Sequence, residues 1–444
     1  MMKNIFALCM IFCIFSCRKD SFITSPDAVL NLSGDSLYFD TLFTSTGSVT
    51  QYFKIFNDNN RKLKINSISV AGGDHSFFKI NADGVPGPTV RDLEMEANDS
   101  LYVFVTVKID PTTGDLPYIV EDSINIDYNG NNKKVKLSAW GQNANFLNSI
   151  LINSNTTFTN EKPYVILGGL AVAEGVELTI EKGTKIFLHA DAPLLIDGTL
   201  TAIGEKYDST KIVFQGDRLD AGYKDYPGAW PGIYFSNFSD NSLLKHVIVK
   251  NAYQGIVADE AVKLTLEECI IDNCYDAGII GSRTNIDAVN CLISNCGKNI
   301  MLLGGGNYLF THCTNVAISN DYIQHKDPAL TITDYIKDGD NVITADMNVQ
   351  FVNCIIWGSN GIVEEEVVTV REGTDDFHVD LGVSLVNQDP LFYNIDARER
   401  IFDFHLSENS PAIGAGTTAG VLKDLEDIDR KLINPDLGAY ESDF

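Results

Sequence analysis

The sequence predicts an all-β protein, an N-terminal β-sandwich followed by a parallel β-helix, and three observations carry that prediction. Short alternating runs separated by Gly and Asn turn signals fill residues 28–143. Brief strand-like runs broken at Gly183, Gly198 and Gly204 open the region that begins near 146. Further along, segments of one pattern return every 22 residues.

The N-terminus precedes both parts. Lys3 gives a short positive region, and residues 5–15 form an apolar run too short for a permanent transmembrane helix. The run ends in Ile14-Phe15-Ser16-Cys17. An aliphatic residue three before a Cys, with a small residue just before it, resembles a lipobox, and Phe15 departs from its strictest form. The resemblance implies a lipoprotein signal peptide over 1–16, acylation of Cys17 and a tether over 17–27. The alternative is a plain secretory signal cleaved nearby. No later segment reaches about 18 uninterrupted apolar residues, so no transmembrane helix is predicted.

The sandwich is read from its runs. Residues 37–43 are apolar, and 52–56 alternate before the turn cluster Asn57-Asp58-Asn59-Asn60. Residues 63–70 alternate and stop at Gly72-Gly73, and 101–109 form a long strand candidate. Runs 123–128 and 134–139 flank Asn129-Gly130-Asn131-Asn132, a hairpin signal. About seven such strands predict a sandwich of immunoglobulin type. The order FKIFNDNNRKLKINSISV, NDSLYVFVTV and LSAWGQNA resembles immunoglobulin-like modules near the anchors of bacterial surface proteins. That resemblance implies a spacer or docking module.

The helix is read from columns. Segments 243–251, 265–273, 287–295 and 309–317 align at the 22-residue step. Leu244, Leu266, Ala288 and Phe310 fall together, as do Val247, Cys269, Cys291 and Cys313. Asn251, Asn273 and Asn295 form a further column, and Phe351, Cys354 and Ile356 rejoin the register after an insertion. One coil of a parallel β-helix has this length, and successive coils lie ~4.8 Å apart, so equivalent residues stack. Cys269, Cys291, Cys313 and Cys354 are expected as a reduced interior stack, because coil spacing exceeds the ~3.8 Å usual between disulfide Cβ atoms. Cys274 and Cys296, just past the Asn ladder, are the better place for a bridge. The Asn column fits a left-handed turn with stacked amides. The strands of 176–204 and the close DFHLSENSPAIGAGT then INPDLGAYE resemble right-handed β-helix domains of Bacteroidota-type surface lipoproteins. Within a helix domain set at 146–444, with insertions near 318–348 and 360–382, the resemblance spans roughly 146–441. It implies a right-handed, pectate-lyase-like architecture, which hosts lyases, hydrolases, adhesins and binding proteins alike.

Composition narrows the partners. The formal net charge is −27, which argues against nucleic acid and against electrostatic capture of polyanionic glycans. Its simplest meaning is solubility. No Cys-x-x-Cys zinc spacing occurs, so no metal site is expected. Asp424, Glu426, Asp427 and Asp429 lack the Gly and closing Glu of a helix-loop-helix Ca²⁺ site.

Candidate ligand-binding residues sit in one loop: Asp217, Arg218, Asp220 and Asp225, just before Trp230, which is placed to stack on a sugar or to pack beneath the loop. His246, Glu268, Asn290 and His312 read as a mixed polar outer column, and Lys250 with Asp272 as a surface ion pair. Ile248, Ile270, Leu292, Thr314 and Ile355 form an outward apolar stripe that needs cover from a loop, the 318–348 insertion or the N-terminal domain. Glu364, Glu365, Glu366, Asp375 and Asp376 read as a solvated hairpin. No catalytic residue is assigned. The expected function is an outer-membrane, surface-exposed lipoprotein presenting its helix face to a glycan or envelope protein. It needs no cofactor. The alternative is a polysaccharide lyase, which would bring in Ca²⁺, or a glycoside hydrolase acting near 217–272.

Overall fold

The structure, a computed structural model, describes residues 21–43, 50–109 and 118–443. Cys17 and the expected signal segment lie outside the described residues. Among the described residues no helix is long and apolar enough to cross a membrane. The chain divides into two compact units, Met1–Asn143 and Ala144–Phe444.

The first unit is two sheets on one core. One runs Phe22–Ile23, Lys62–Val70, Tyr118–Tyr128, Asn131–Gln142, Ser36–Phe43, with Thr89–Met95 also beside Lys62–Val70. The other runs Leu30–Leu32, Gln51–Asn57, Ser100–Val107, Phe78–Ala82, Val85–Gly87. Alternation places Leu63 and Ile65 of one sheet, and Phe53, Ile55, Val103 and Val105 of the other, in the shared core. The Phe39 and Phe78 rings meet across it at 5.9 Å. The hairpin turn falls at Asn129 and Gly130, both at positive φ (46° and 81°), as such a tight turn requires.

The second unit is a parallel β-helix. Its 24 strands pair in parallel coil upon coil and sort into three ladders. The first includes Val247–Lys250, Ile270–Asp272, Leu292–Ser294, Thr314–Ile318 and Ile355–Ser359. The second includes Ile233–Phe235, Gln254–Ala258, Leu330–Thr333 and Val367–Val370. The third includes Ser242–Lys245, Lys263–Glu267, Met347–Val352 and Phe377–Asp380. Two long strands, Ala277–Val289 and Lys298–Thr311, bend through both the second and third ladders.

The register repeats the sequence columns: Leu244 pairs Leu266, then Ala288, Phe310 and Phe351. The Phe310 and Phe351 rings stack at 4.5 Å inside the tube. Cys269, Cys291, Cys313 and Cys354 are buried and free. Each thiol donates to a backbone carbonyl of the preceding coil, as Cys291 does to Leu266 at 3.5 Å.

Four expectations need correction. Cys274 and Cys296 are not bridged; both are buried free thiols, and the Cys296 sulfur accepts the Cys274 amide at 3.4 Å. The segments 318–348 and 360–382 are not insertions throughout. Strands Leu330–Thr333, Met347–Val352, Val367–Val370 and Phe377–Asp380 belong to the coils, and long turns between them stretch the step. The helix does not run to the C-terminus: its last ladder strand is Leu385–Val386, after which the chain folds back as a hairpin, Phe392–Asp396 with Ile401–Leu406, and irregular turns. His246, Glu268, Asn290 and His312 are no outer strand column. All have φ between 47° and 53°, so they form a second left-handed turn column, and Asn353 continues it.

Candidate ligand-binding surfaces of the helix

The loop 217–230 does not converge on one site. Asp217 pairs with His189 at 2.8 Å. Arg218 pairs with Asp220 at 3.0 Å and lies 3.6 Å over the Tyr223 ring. Asp225 pairs with Arg400 at 2.9 Å. Trp230 is 1% exposed and packs in the helix core, its Nε1 donating to the Lys250 carbonyl at 3.0 Å, so it offers no face to a sugar. The loop is seated by the Asn ladder instead: Asn251 Nδ2 donates to the Lys224 carbonyl at 2.7 Å and Asn273 Nδ2 to the Asp225 carbonyl at 2.9 Å.

The ladder itself is shorter than its column. Asn273 Nδ2 donates to Asn251 Oδ1 at 2.9 Å, whereas Asn295 turns its Nδ2 to Asp272 Oδ1 at 3.3 Å. Asp272 also accepts from Ser294 Oγ at 2.7 Å, and burial pushes its carboxyl above the usual range. It is thus held within its own ladder rather than in a surface ion pair.

The apolar stripe is covered, but by the C-terminal segment rather than by the 318–348 region. Leu292, Val316 and Ile355 pack with Phe404, Leu406, Ala412, Leu425, Leu437 and Ala439, and Ile270 borders them. Sequence reading did not anticipate the buried polar lock beneath this cover. Arg430 donates to Asn290 Oδ1 at 2.8 Å and pairs with Glu441 at 3.3 Å, both charged side chains almost fully enclosed. Asp424 accepts the amides of Glu426, Ile428 and Glu441, so it is saturated by backbone rather than open to a cation. Asp429 is taken by Lys423 at 2.8 Å. Glu366 is likewise no solvated residue: it is buried against His325 at 2.8 Å, while Asp375 accepts from Thr344 at 2.6 Å. Among the described residues no group of three or more His, Cys, Asp or Glu is arranged to hold a metal ion.

One broad surface stays open. On the third ladder the outward residues alternate with the core, so Lys263, Asn285, Asn307 and Asn348 form one column, and Thr265, Asp287, Leu309 and Gln350 form another. Together they line a shallow groove of about 670 Å³. Asn307 Nδ2 donates to Asn285 Oδ1 at 2.9 Å, which fixes the amide faces. Glu267 at its edge is tied to Lys245 at 2.7 Å. Partial burial, with Glu267 nearby, raises the Asp287 carboxyl. The signal for this groove was present in the repeat: polar residues recur at 263, 285, 307 and 348 and, Leu309 excepted, again two residues on.

A smaller cleft of about 210 Å³ lies between the first ladder and the C-terminal hairpin. It is bordered by the Asp225–Arg400 pair, Lys250, Asp272 and Asn295.

No protein-family model matches the chain, and no curated protein matches it. Among solved structures, a family 123 glycoside hydrolase from Clostridium perfringens is similar at 11% identity and a TM-score of 0.20, over 25% of this chain and 26% of that one. The VesB protease of Vibrio cholerae is similar at 14% identity and a TM-score of 0.18, over 26% of this chain and 31% of that one. A PapD-like domain of human CEP192 is similar at 12% identity and a TM-score of 0.18, over 29% of this chain and 92% of the domain. This chain therefore spans about a quarter of the hydrolase and about a third of the protease.

Proposed function

We propose that the protein is an envelope-anchored lipoprotein, held by Cys17 in the outer membrane, whose β-helix binds glycan along the third ladder without cleaving it. The observation that carries this reading is the open groove lined by Lys263, Asn285, Asp287, Asn307, Asn348 and Gln350. Amides repeated at coil spacing, with the Asp287 carboxyl among them, meet the paired donors and acceptors of successive hydroxyls. Leu309 adds an apolar step for a ring face, and the groove is long and shallow, suited to a chain rather than a small molecule. The sandwich serves as a spacer. The signal segment supports the anchor, and the loss of lipid labelling in Cys17→Ala tests it.

A hydrolytic reading has one observation behind it: the Asp287 carboxyl, raised by partial burial, faces the groove, where a general acid would have to stand. Electrophoresis of the purified protein through gels containing neutral or acidic polysaccharides separates the two. Retardation by a polysaccharide, lost in Asn307→Ala and Asp287→Ala, is expected. New reducing ends or unsaturated uronates would overturn the non-enzymatic reading.

A further inference from the structure

The second ladder carries an outward column that the coils do not bury. Leu195, Tyr234, Val257, Ile280 and Met301 pair in succession, one to a coil, and the column runs on through Thr331 to Val368. Their neighbours along each strand point into the tube, as Ile256 and Ala258 do on either side of Val257. The column itself is partly exposed, Leu195 at 42%. Among the described residues none of the first five joins a buried cluster. The stripe of the first ladder is the same kind of surface, and there the C-terminal segment covers it. A solenoid gains nothing from an outward apolar stripe left in water, so this one calls for cover from another molecule.

The flanks of the stripe say what that molecule is. Before the strands, Lys298 pairs with Asp276 at 3.3 Å, next to Tyr253 and Tyr275, which are half exposed and stack at 5.6 Å. After the strands come Asp259 and the Arg283–Glu260 pair. The chain as a whole carries −27, so a second copy is repelled wherever acids dominate. On these flanks most charges are already paired within the chain. A two-fold axis parallel to the helix sets each coil against the same coil of the copy and reverses the strands. Val257 then meets Val257, Ile280 meets Ile280, and the Lys298 flank of each copy lies opposite the Asp259 flank of the other. Both first coils stay at one end, as two chains anchored in one membrane require. From Leu195 to Val368 the column takes six coil steps, about 29 Å at ~4.8 Å each, and five residues of strand give a width of about 17 Å. That is about 500 Å² on each copy and about 1,000 Å² in all, the lower limit of a specific interface.

We propose that the second ladder is a self-association face, on which two copies of this chain pack sheet against sheet about a two-fold axis parallel to the helix. It does not depend on the glycan-binding reading, which uses the open groove of the third ladder.

Cysteine cross-linking of the purified protein tests it. Val257→Cys and Ile280→Cys are each treated with a short bis-maleimide at about 1–100 µM protein, the range in which a small interface assembles. A covalent dimer is expected from both, because each new thiol faces its own copy. None is expected from Asn307→Cys in the open groove, or from the parent, whose helix thiols are buried. Sedimentation equilibrium gives a second reading. Ile280→Asp sets two carboxylates against each other in the apolar stripe and should raise the dimer dissociation constant about tenfold or more. Ile280 is partly exposed in the single chain, so the substitution is tolerated there, and the cysteine variants decide the matter if it is not. Three results overturn the proposal. One is no cross-linked dimer from either cysteine variant. Another is a dimer as strong in Ile280→Asp as in the parent. The third is a monomeric parent whose binding to phosphatidylcholine vesicles, or retardation by a polysaccharide, is lost in Ile280→Asp, which would give the stripe to a lipid surface or a glycan.

Discussion

At the scale of single residues, the turn columns hold most of the unusual chemistry. His312 is fully buried, at positive φ, and its Nε2 accepts from Asn353 Nδ2 at 3.0 Å. Burial, and then the Arg430 charge, depress its ring to about 3. The unfolded ring takes a proton near 6.5. Below that pH the unfolded chain binds the additional proton, so this residue removes stability as pH falls from about 6.5 toward 3, by up to ~1.4 kcal/mol per unit. His405 runs the other way: burial opposes its charge, but Asp403 and Glu426 outweigh burial and raise it, so its contribution is present below about 6.5 and lost above. Comparing one variant with the parent isolates His312. Asn290 and Asn353 occupy the same turn in neighbouring coils, so Asn fits the backbone there. Melting temperatures of His312→Asn should fall less than those of the parent between about pH 7 and pH 5. A parallel fall in both proteins would refute the assignment. The column was only half legible in sequence: of the four residues read together Asn290 alone carries the residue type that favours a left-handed turn, and His246, Glu268 and His312 around it read as outward strand residues.

At the scale of elements, the 22-residue step was legible wherever coils kept their turns short. It found the interior columns because packing between coils selects the same small or β-branched residue at each level. Where turns lengthen, as between Cys313 and Cys354, it recovered the columns at Phe351, Cys354 and Ile356 but read the stretch between as an insertion and missed the strand Leu330–Thr333 within it. It found the Asn column but not the break in it, because the break is a rotation of one side chain, from Asn273 toward Asp272. The open groove was implicit in the alternation, while the cleft was not, for it needs a hairpin distant in sequence. The turn ladder makes a prediction of its own. Asn273→Ala loses the amide bonds to Asn251 and to the Asp225 carbonyl and with them the polar side chain that lets Asn tolerate the left-handed region, together about 2–3 kcal/mol. Asn273→Gly keeps the backbone comfortable and loses only the amide. Urea or thermal melts should rank the parent above Gly and Gly above Ala; an Ala variant as stable as Gly would show that the turn is not set by this residue.

At the scale of the whole helix unit, the first ladder is stable only as a covered surface. A solenoid buries its interior by stacking, but an outward stripe such as Ile270, Leu292, Val316 and Ile355 gains nothing from the next coil and must be sheltered by chain from elsewhere. The segment after Val386 supplies that shelter, with Phe404, Leu406, Leu425 and Leu437 on its inner side. What fixes its position is polar. Arg430 reaches through the cover to Asn290 in the turn column, and Ala439 donates its amide to Thr314 Oγ1 at 2.9 Å. Arg430 and Glu441 are both enclosed, so removing one partner strands the other's charge away from water. Arg430→Met keeps much of the volume and deletes the charge. It should cost about 3–5 kcal/mol and loosen the segment before the helix melts, seen as faster amide exchange at 412–441 with the interior strands still protected. Arg430→Met with Glu441→Gln should recover part of the loss, because no unpaired charge remains. If the single variant exchanged its C-terminal amides as slowly as the parent, the apolar contacts alone would suffice to hold the cover, and the buried pair would have no part in closing the helix face.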